Sequence, residues 1–243
     1  LVEKVAVRNR LYSVAGRWEL GGNIGLSLLP RLTEHYNLNV DVGYNVFDWL
    51  AFDLRGGYAI SRHTSLADDV ASKFYANTSI STIKDLADLW QMGANAIVGA
   101  RFQPIYGKLN LTAELPIHFQ LYLWAGGGAG LFNRQSVVIC MDHASAAKCG
   151  TDTDPKYFTQ TAVKPIVSVA LGFRFFIAGN HAIKLEARDW SFLDSYYEGI
   201  TRSALTSGSI TDEAAVTRAG GKLSPNAGVT NLVQFDLGYT YIF

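Results

Sequence analysis

The sequence predicts an all-β fold: a closed antiparallel eight-stranded up-and-down transmembrane β-barrel with long extracellular loops and short periplasmic turns. Three observations lead there. Apolar and polar residues alternate with period two over eight separate stretches, the pattern of strands with one apolar and one polar face. No apolar run suits a membrane-crossing helix: the longest, "LYLWAGGGAGLF" (121–132), contains four glycines and falls short of the ~20 residues required. Charged residues are only 17% of the 243, below the usual quarter for soluble domains, while aromatics reach 12%.

The first stretch, "RWELGGNIGLSLL" (17–29), sets Trp18, Leu20, Ile24, Leu26 and Leu28 against Arg17, Glu19, Asn23 and Ser27. The second, "HYNLNVDVGYNV" (35–46), sets Tyr36, Leu38, Val40, Val42, Tyr44 and Val46 against His35, Asn37, Asn39, Asp41, Gly43 and Asn45. After a tight turn at Phe47 and Asp48, the third (49–61) opposes Leu50, Phe52, Leu54, Tyr58 and Ile60 to Ala51, Asp53, Arg55 and Gly57. The fourth (about 91–103) puts Met92, Ala94, Ala96, Val98, Ala100 and Phe102 opposite Asn95 and Arg101. The fifth (117–132) puts Ile117, Phe119, Leu121 and Leu123 opposite His118, Gln120, Tyr122 and Trp124. The sixth (162–176) opposes Val163, Val167, Val169, Leu171, Phe173 and Phe175 to Lys164, Ser168, Gly172 and Arg174. The seventh (182–190) opposes Ile183, Leu185 and Ala187 to Lys184, Glu186 and Arg188. The eighth closes the chain on "QFDLGYTYIF", with Phe235, Leu237, Tyr239, Tyr241 and Phe243 on one side.

Long polar connections (61–90, 133–160, 193–228) follow only odd-numbered strands, so all three leave from one end of the sheet. Both chain ends and the short turns share the other. This is the layout of bacterial outer-membrane barrels.

Volume and charge decide which set faces out. An eight-stranded barrel is only just wide enough for side chains to fill, and the apolar set carries too many aromatics to fit inside. Up to Asp189, near the outer end of the seventh strand, that set also holds no charged residue. The interior set instead holds Glu19, Asp41, Asp53, Glu186 and Asp236 against Arg17, Arg55, Arg101, Lys164, Arg174, Lys184 and Arg188. Opposite signs let these groups pair across the lumen, as buried charge requires, giving a plugged interior. Unpaired backbone groups are too costly in hydrocarbon for the wall to keep an edge, so the final strand must pair with the first. An aromatic girdle is expected at the short-turn end: Phe47, Trp49, Phe102, Tyr106, Phe119, Phe175, Tyr239, Tyr241 and Phe243.

The end "DLGYTYIF" resembles the β-signal that outer-membrane proteins present to the barrel-assembly machinery, with Asp236, Gly238, Tyr241 and Phe243 at the matching positions. The chain resembles small eight-stranded outer-membrane proteins of the OmpA-transmembrane, OmpX and OmpW kind. Through "GRWELGG", "VFDWLAFDLRGGYAISRHT", "PIYGKL" and "GFRFFIAGNHAIKLEARD" it looks closer to the outer-membrane β-barrel family of myxobacteria and related predatory bacteria. Some members of that family are associated with gliding-motility envelope machines. The resemblance implies outer-membrane lipid and lipopolysaccharide as surroundings, with other envelope proteins as partners, such as a gliding-motility or other trans-envelope complex.

Two functions from different classes stay open. One is a structural or interaction barrel of the cell envelope without a wide pore; the other is a narrow porin-like or OmpW-like barrel passing small or apolar solutes. Lys+Arg and Asp+Glu are 21 each, so no basic field exists to attract nucleic acid. Cys140 and Cys149, in "CMDHASAAKC", are expected to form a loop disulfide of an exported protein, with metal binding alongside Asp142 and His143 as the alternative. No catalytic group, metal site or cofactor is expected, and "GGGAG" (126–130) lacks the Lys-Ser/Thr of a phosphate loop. "STIKDLADLW" (81–90) has helical spacing and suits a short rim helix. Residues 1–16 are expected to be a periplasmic tail or a lumen plug ahead of a barrel domain over 17–243. The start at Leu1 suggests a removed export signal, with both termini in the periplasm.

Overall fold

The computed structural model describes residues 11–28, 32–69, 90–110, 116–138, 156–194 and 228–243, together with two-residue strands at 197–198, 209–210 and 222–223. The strands are β1 (Arg17–Ser27), β2 (Thr33–Phe47), β3 (Leu50–His63), β4 (Trp90–Asn110), β5 (Pro116–Val138), β6 (Lys156–Ala178) and β7 (His181–Asp194). There follow the short β8 (Tyr197–Glu198), β9 (Ser209–Ile210) and β10 (Lys222–Leu223), then β11 (Gly228–Ile242).

Eight long strands make one antiparallel wall in the order β5-β4-β3-β2-β1-β11-β7-β6, and pairing of β5 with β6 closes it. The seam between the chain ends runs Glu19↔Ile242 through Ser27↔Gln234, and Trp18 and Phe243 exchange backbone hydrogen bonds at 3.0 and 2.9 Å. The final strand therefore pairs with the first, and the terminal residue is held at both backbone groups. Among the short strands, β9 lies parallel to β6 and β10 pairs with β8.

Period two governs burial along the long strands wherever the ladder is unbroken. On β2 the set from His35 to Asn45 is buried while Leu38, Val40 and Val42 are exposed. Phe52, Leu54, Val169, Leu171, Leu237 and Tyr239 likewise face outward. The exterior is thus the apolar set and the interior the polar one, inverted relative to a water-soluble barrel.

The wall departs from the sequence reading in two ways. β5 and β6 stay paired out to Val138↔Lys156, so the connection after the fifth strand is shorter than its polarity suggested. Beyond an apolar belt nothing forbids a hairpin from continuing into water. Register shifts also interrupt β4, between Met92 and Asn95 and between Phe102 and Ile105. Each shift changes which residues face in. Met92, expected outside, is consequently buried in the lumen.

The turns leave at two ends. Asp48 and Trp49 join β2 to β3, and Gly179 and Asn180 join β6 to β7; Gly179 takes φ +47°, a left-handed conformation that costs glycine little. These turns, the last residue and the described start of the chain lie at one mouth. Among the described residues no helix is long and apolar enough to cross a membrane, which says nothing of strands.

Candidate functional site

The lumen is built in three layers, each placed by the inward set of the strands. At the short-turn mouth, residues 11–16 cross the opening. Asp48 holds them: its Oδ1 accepts from Ser13 Oγ (3.0 Å), Val14 N (2.8 Å) and Ala15 N (3.2 Å). Tyr12 stacks on Phe176 with centroids 4.9 Å apart, and its N–H donates to Tyr106 Oη at 3.3 Å. Val14 is buried with Phe176, Ala182 and Ile242. Residues 11–16 of the N-terminal segment thus lie against the short-turn mouth; residues 1–10 lie outside the described ones.

Above this cap sits a network of five acids and five bases, all buried: Glu19, Asp41, Asp53, Glu186 and Asp236 with Arg55, Arg101, Arg174, Lys184 and Arg188. Glu19 is its hub. Arg101 Nη1 reaches Glu19 Oε1 at 2.6 Å and Arg174 Nη2 reaches Oε2 at 2.7 Å, while Asn45 donates to Oε2 at 3.2 Å. Arg101 also binds Asp53 (3.1 Å), and Lys184 binds Asp41 (2.7 Å), whose other oxygen accepts from Asn23. A second group centres on Glu186, which receives Arg55 (2.9 Å), Arg188 Nε (2.8 Å) and Tyr122 Oη (3.0 Å). Arg55 links it to Asp236 at 3.4 Å. Equal numbers of each sign, with amide and hydroxyl donors filling remaining lone pairs, are what allow so much charge out of water. Between Asn23, Arg55, Tyr122, Lys184, Glu186, Asp236 and Gly238 no void of water size remains.

Toward the long loops the filling turns aromatic. Trp90, Met92, Ile97, Tyr122, Trp124, Phe132, Ile166, Trp190 and Phe192 form one buried cluster. Phe132 and Phe192 lie 4.2 Å apart between centroids, and Arg188 stacks over Trp124 at 4.2 Å, tying this layer to the network below. Lys164 is buried here: its Nζ lies 3.3 Å from the Trp90 ring centroid and donates to the Leu193 carbonyl at 3.0 Å. Glycines make the room, since a Cβ on Gly99 would overlap the Trp124 ring and one on Gly172 would overlap Tyr122.

Two expected site residues stand elsewhere. Arg17, expected in the lumen network, is exposed at the short-turn mouth. Its strand position has inward parity, but it lies at the end of β1, where the lumen opens, and its backbone carbonyl accepts from an inward side chain, the Asn45 amide, at 3.2 Å. Tyr106, expected in the outer girdle, turns inward and bonds His118 Nδ1 at 2.9 Å. The register shift between Phe102 and Ile105 inverts its face. The other girdle positions are outward: Phe47 and Trp49 stack at 5.4 Å, Trp49 meets Phe102 edge-on at 6.0 Å, and Phe119 touches Phe175. Tyr239, Tyr241 and Phe243 continue the ring, Tyr241 stacking on Phe243.

Within the terminal motif, Asp236 and Gly238 face the lumen while Tyr241 and Phe243 face out. Cys140, Cys149, Asp142 and His143, and the stretch 81–89, lie outside the described residues. The aromatic layer was missed as a lumen filling; the signal was present as glycines (Gly99, Gly126, Gly172) spaced to face Trp124 and Tyr122.

No family model matches this chain, and no curated protein matches it. Among solved structures it is similar to Neisserial surface protein A, at 11% identity over 93% of this chain and 95% of that one, with a TM-score of 0.35. It is similar to Ail, the attachment invasion locus protein of Yersinia pestis, at 10% identity over 93% and 97%, with a TM-score of 0.35. A major outer membrane protein from Thermus thermophilus aligns at 12% identity over 93% and 99%, with a TM-score of 0.39. The barrel architecture itself rests on the closed register and the apolar exterior.

Proposed function

We propose that the chain is an integral barrel of the bacterial outer membrane, with both ends in the periplasm, acting as a structural or interaction component of the envelope. The observation that carries this is the filled lumen: a cap over residues 11–16, a ten-residue ion network and an aromatic layer follow one another from mouth to mouth. A solute would have to break buried ion pairs to pass, and leaving such groups unpaired costs several kcal/mol each. The capacity to interact then falls to the exposed rims and loops, with other envelope proteins, such as a trans-envelope complex, as partners. Asp236, Gly238, Tyr241 and Phe243 serve the barrel-assembly machinery during biogenesis, and lipid and lipopolysaccharide surround the apolar belt.

Planar-bilayer recording of the purified protein tests the closed lumen. The reading expects a flat current; reproducible open-channel steps would replace it with narrow solute passage. Detergent-stable co-purification from native membranes with a defined envelope protein would identify the partner.

A further inference from the structure

Among the described residues of the outward set, Asp189 is an ionisable group that the barrel architecture leaves unexplained. Asp189 on β7 faces the exterior, half-buried, one rung inside the polar pair Ser191↔Asn231. Its Oδ2 accepts from Ser191 Oγ at 3.1 Å, while Oδ1 is buried against the wall with no donor among the described residues. Around it the outward neighbours are Ala187 and Ser191 on its own strand, Val169 on β6 and Val233 on β11, so no cation of the described wall stands beside it. Ionisable groups on a hydrocarbon-facing surface are rare and costly, and where they persist they mark a partner or a site.

Asp189, with Val233 of β11 beside it, also lines one end of a groove of about 610 Å³ on the outer wall. The floor is Ala100, Ala125 and Ala187; Phe102, Leu123 and Leu171 are the sides. The rung Ala100↔Ala125↔Val169↔Asp189 crosses three strand spacings, roughly 14 Å. The groove runs from near the outer polar border at Asp189 down to Phe102 in the girdle. Its lining comes from two adjacent rungs about 7 Å apart. An α-helix is 10–12 Å across and does not fit such a trough, whereas an extended hydrocarbon chain does.

We propose that this groove seats one acyl chain of an envelope lipid, and that Asp189 holds the lipid through a primary ammonium in its head group. The inference rests on the lipid-facing exterior proposed above. The apolar length, a carboxylate at one end whose Oδ2 accepts from the Ser191 hydroxyl and has a second lone pair for an ammonium, and the lack of a wall cation beside it specify a zwitterionic amphiphile over an anionic one. A charge-assisted hydrogen bond of this kind in a water-poor setting corresponds to about tenfold in retention or more.

The test uses the full chain folded in detergent, with phosphatidylethanolamine, phosphatidylglycerol or phosphatidylcholine of identical acyl chains added, and retained lipid counted by native mass spectrometry. The wild type is expected to retain phosphatidylethanolamine about tenfold over the other two. Asp189→Asn should abolish the preference, and Ala125→Leu, which fills the floor, should lower retention of all three. Equal retention by the wild type, a preference that survives Asp189→Asn, or a dimer that Ala125→Leu dissolves would each overturn the proposal. Heat-dependent electrophoretic mobility of the same samples keeps the two ideas apart. A folded barrel without lipid preference removes only the groove; a chain that stays folded and soluble without detergent removes the membrane reading as well.

Discussion

Glu19 of β1 and Arg174 of β6 meet across the lumen although β11 and β7 separate their strands in the wall: Arg174 Nη2 lies 2.9 Å from Oε1 and 2.7 Å from Oε2. The contact spans the cylinder, so it braces opposite sides against each other in a way that no neighbouring-strand hydrogen bond can. Replacing Glu19 by Ala leaves Arg101 and Arg174 buried without their shared acid. The expected loss is about 3–5 kcal/mol, the range for breaking a buried pair from one side, read as a lower urea midpoint in vesicles. A loss below about 1 kcal/mol would mean the hub contributes little.

On the outer wall the sign of a substitution reports the surroundings. Leu54 is 59% exposed in the middle of β3. In water Leu54→Arg would be nearly neutral. Facing the middle of a bilayer it should cost about 2–4 kcal/mol, measured by reversible unfolding in vesicles.

The last residue separates folding from assembly. Phe243 is held by two backbone hydrogen bonds to Trp18, which Phe243→Ala preserves. The variant should refold in detergent with a stability within about 1 kcal/mol of the parent, yet accumulate less in the outer membrane of expressing cells. Normal accumulation would deny the terminal motif its assembly role.

At the short-turn mouth, Asp48→Ala removes the acceptor shared by Ser13, Val14 and Ala15. The cap should loosen by about 1.5–3 kcal/mol, typical of bonds to a charged group, and hydrogen exchange at Val14 and Ala15 should accelerate accordingly. Unchanged exchange would place the hold on Tyr12 and its stack with Phe176.

Much of this architecture could be read directly from the order of residues. Alternation along "HYNLNVDVGYNV" assigns the faces of β2 correctly, because an unbroken ladder keeps strict period two. The sorting of Glu19, Asp53, Arg55, Arg101 and Glu186 inward follows from the same rule. Where the ladder breaks, the rule fails: Met92 and Tyr106 flank register shifts that periodicity cannot register, although Pro104, which has no N–H for the ladder, was a visible warning. Arg17 was misplaced because parity gives the face and not the depth. The aromatic layer around Trp90, Trp190 and Phe192 was hidden for another reason. Trp190 lies at the edge of a stretch read as a strand, Phe192 lies beyond it, and Trp90, read as the end of a rim helix, instead opens β4; long β4–β7 carry the lumen further out than the apolar belt alone suggests.

The most direct measurement uses the unaltered sequence. With Ile, Leu and Val methyl groups labelled for NMR and the protein placed in bicelles, a nitroxide carried on the lipid acyl chain reports which methyls touch hydrocarbon. A sealed barrel with its apolar set outward predicts strong broadening at Leu54, Val169 and Leu237 and sharp signals from Ile97 and Ile166 inside the lumen. Sharp signals from the first three together with broadening of Ile97 and Ile166 would contradict it.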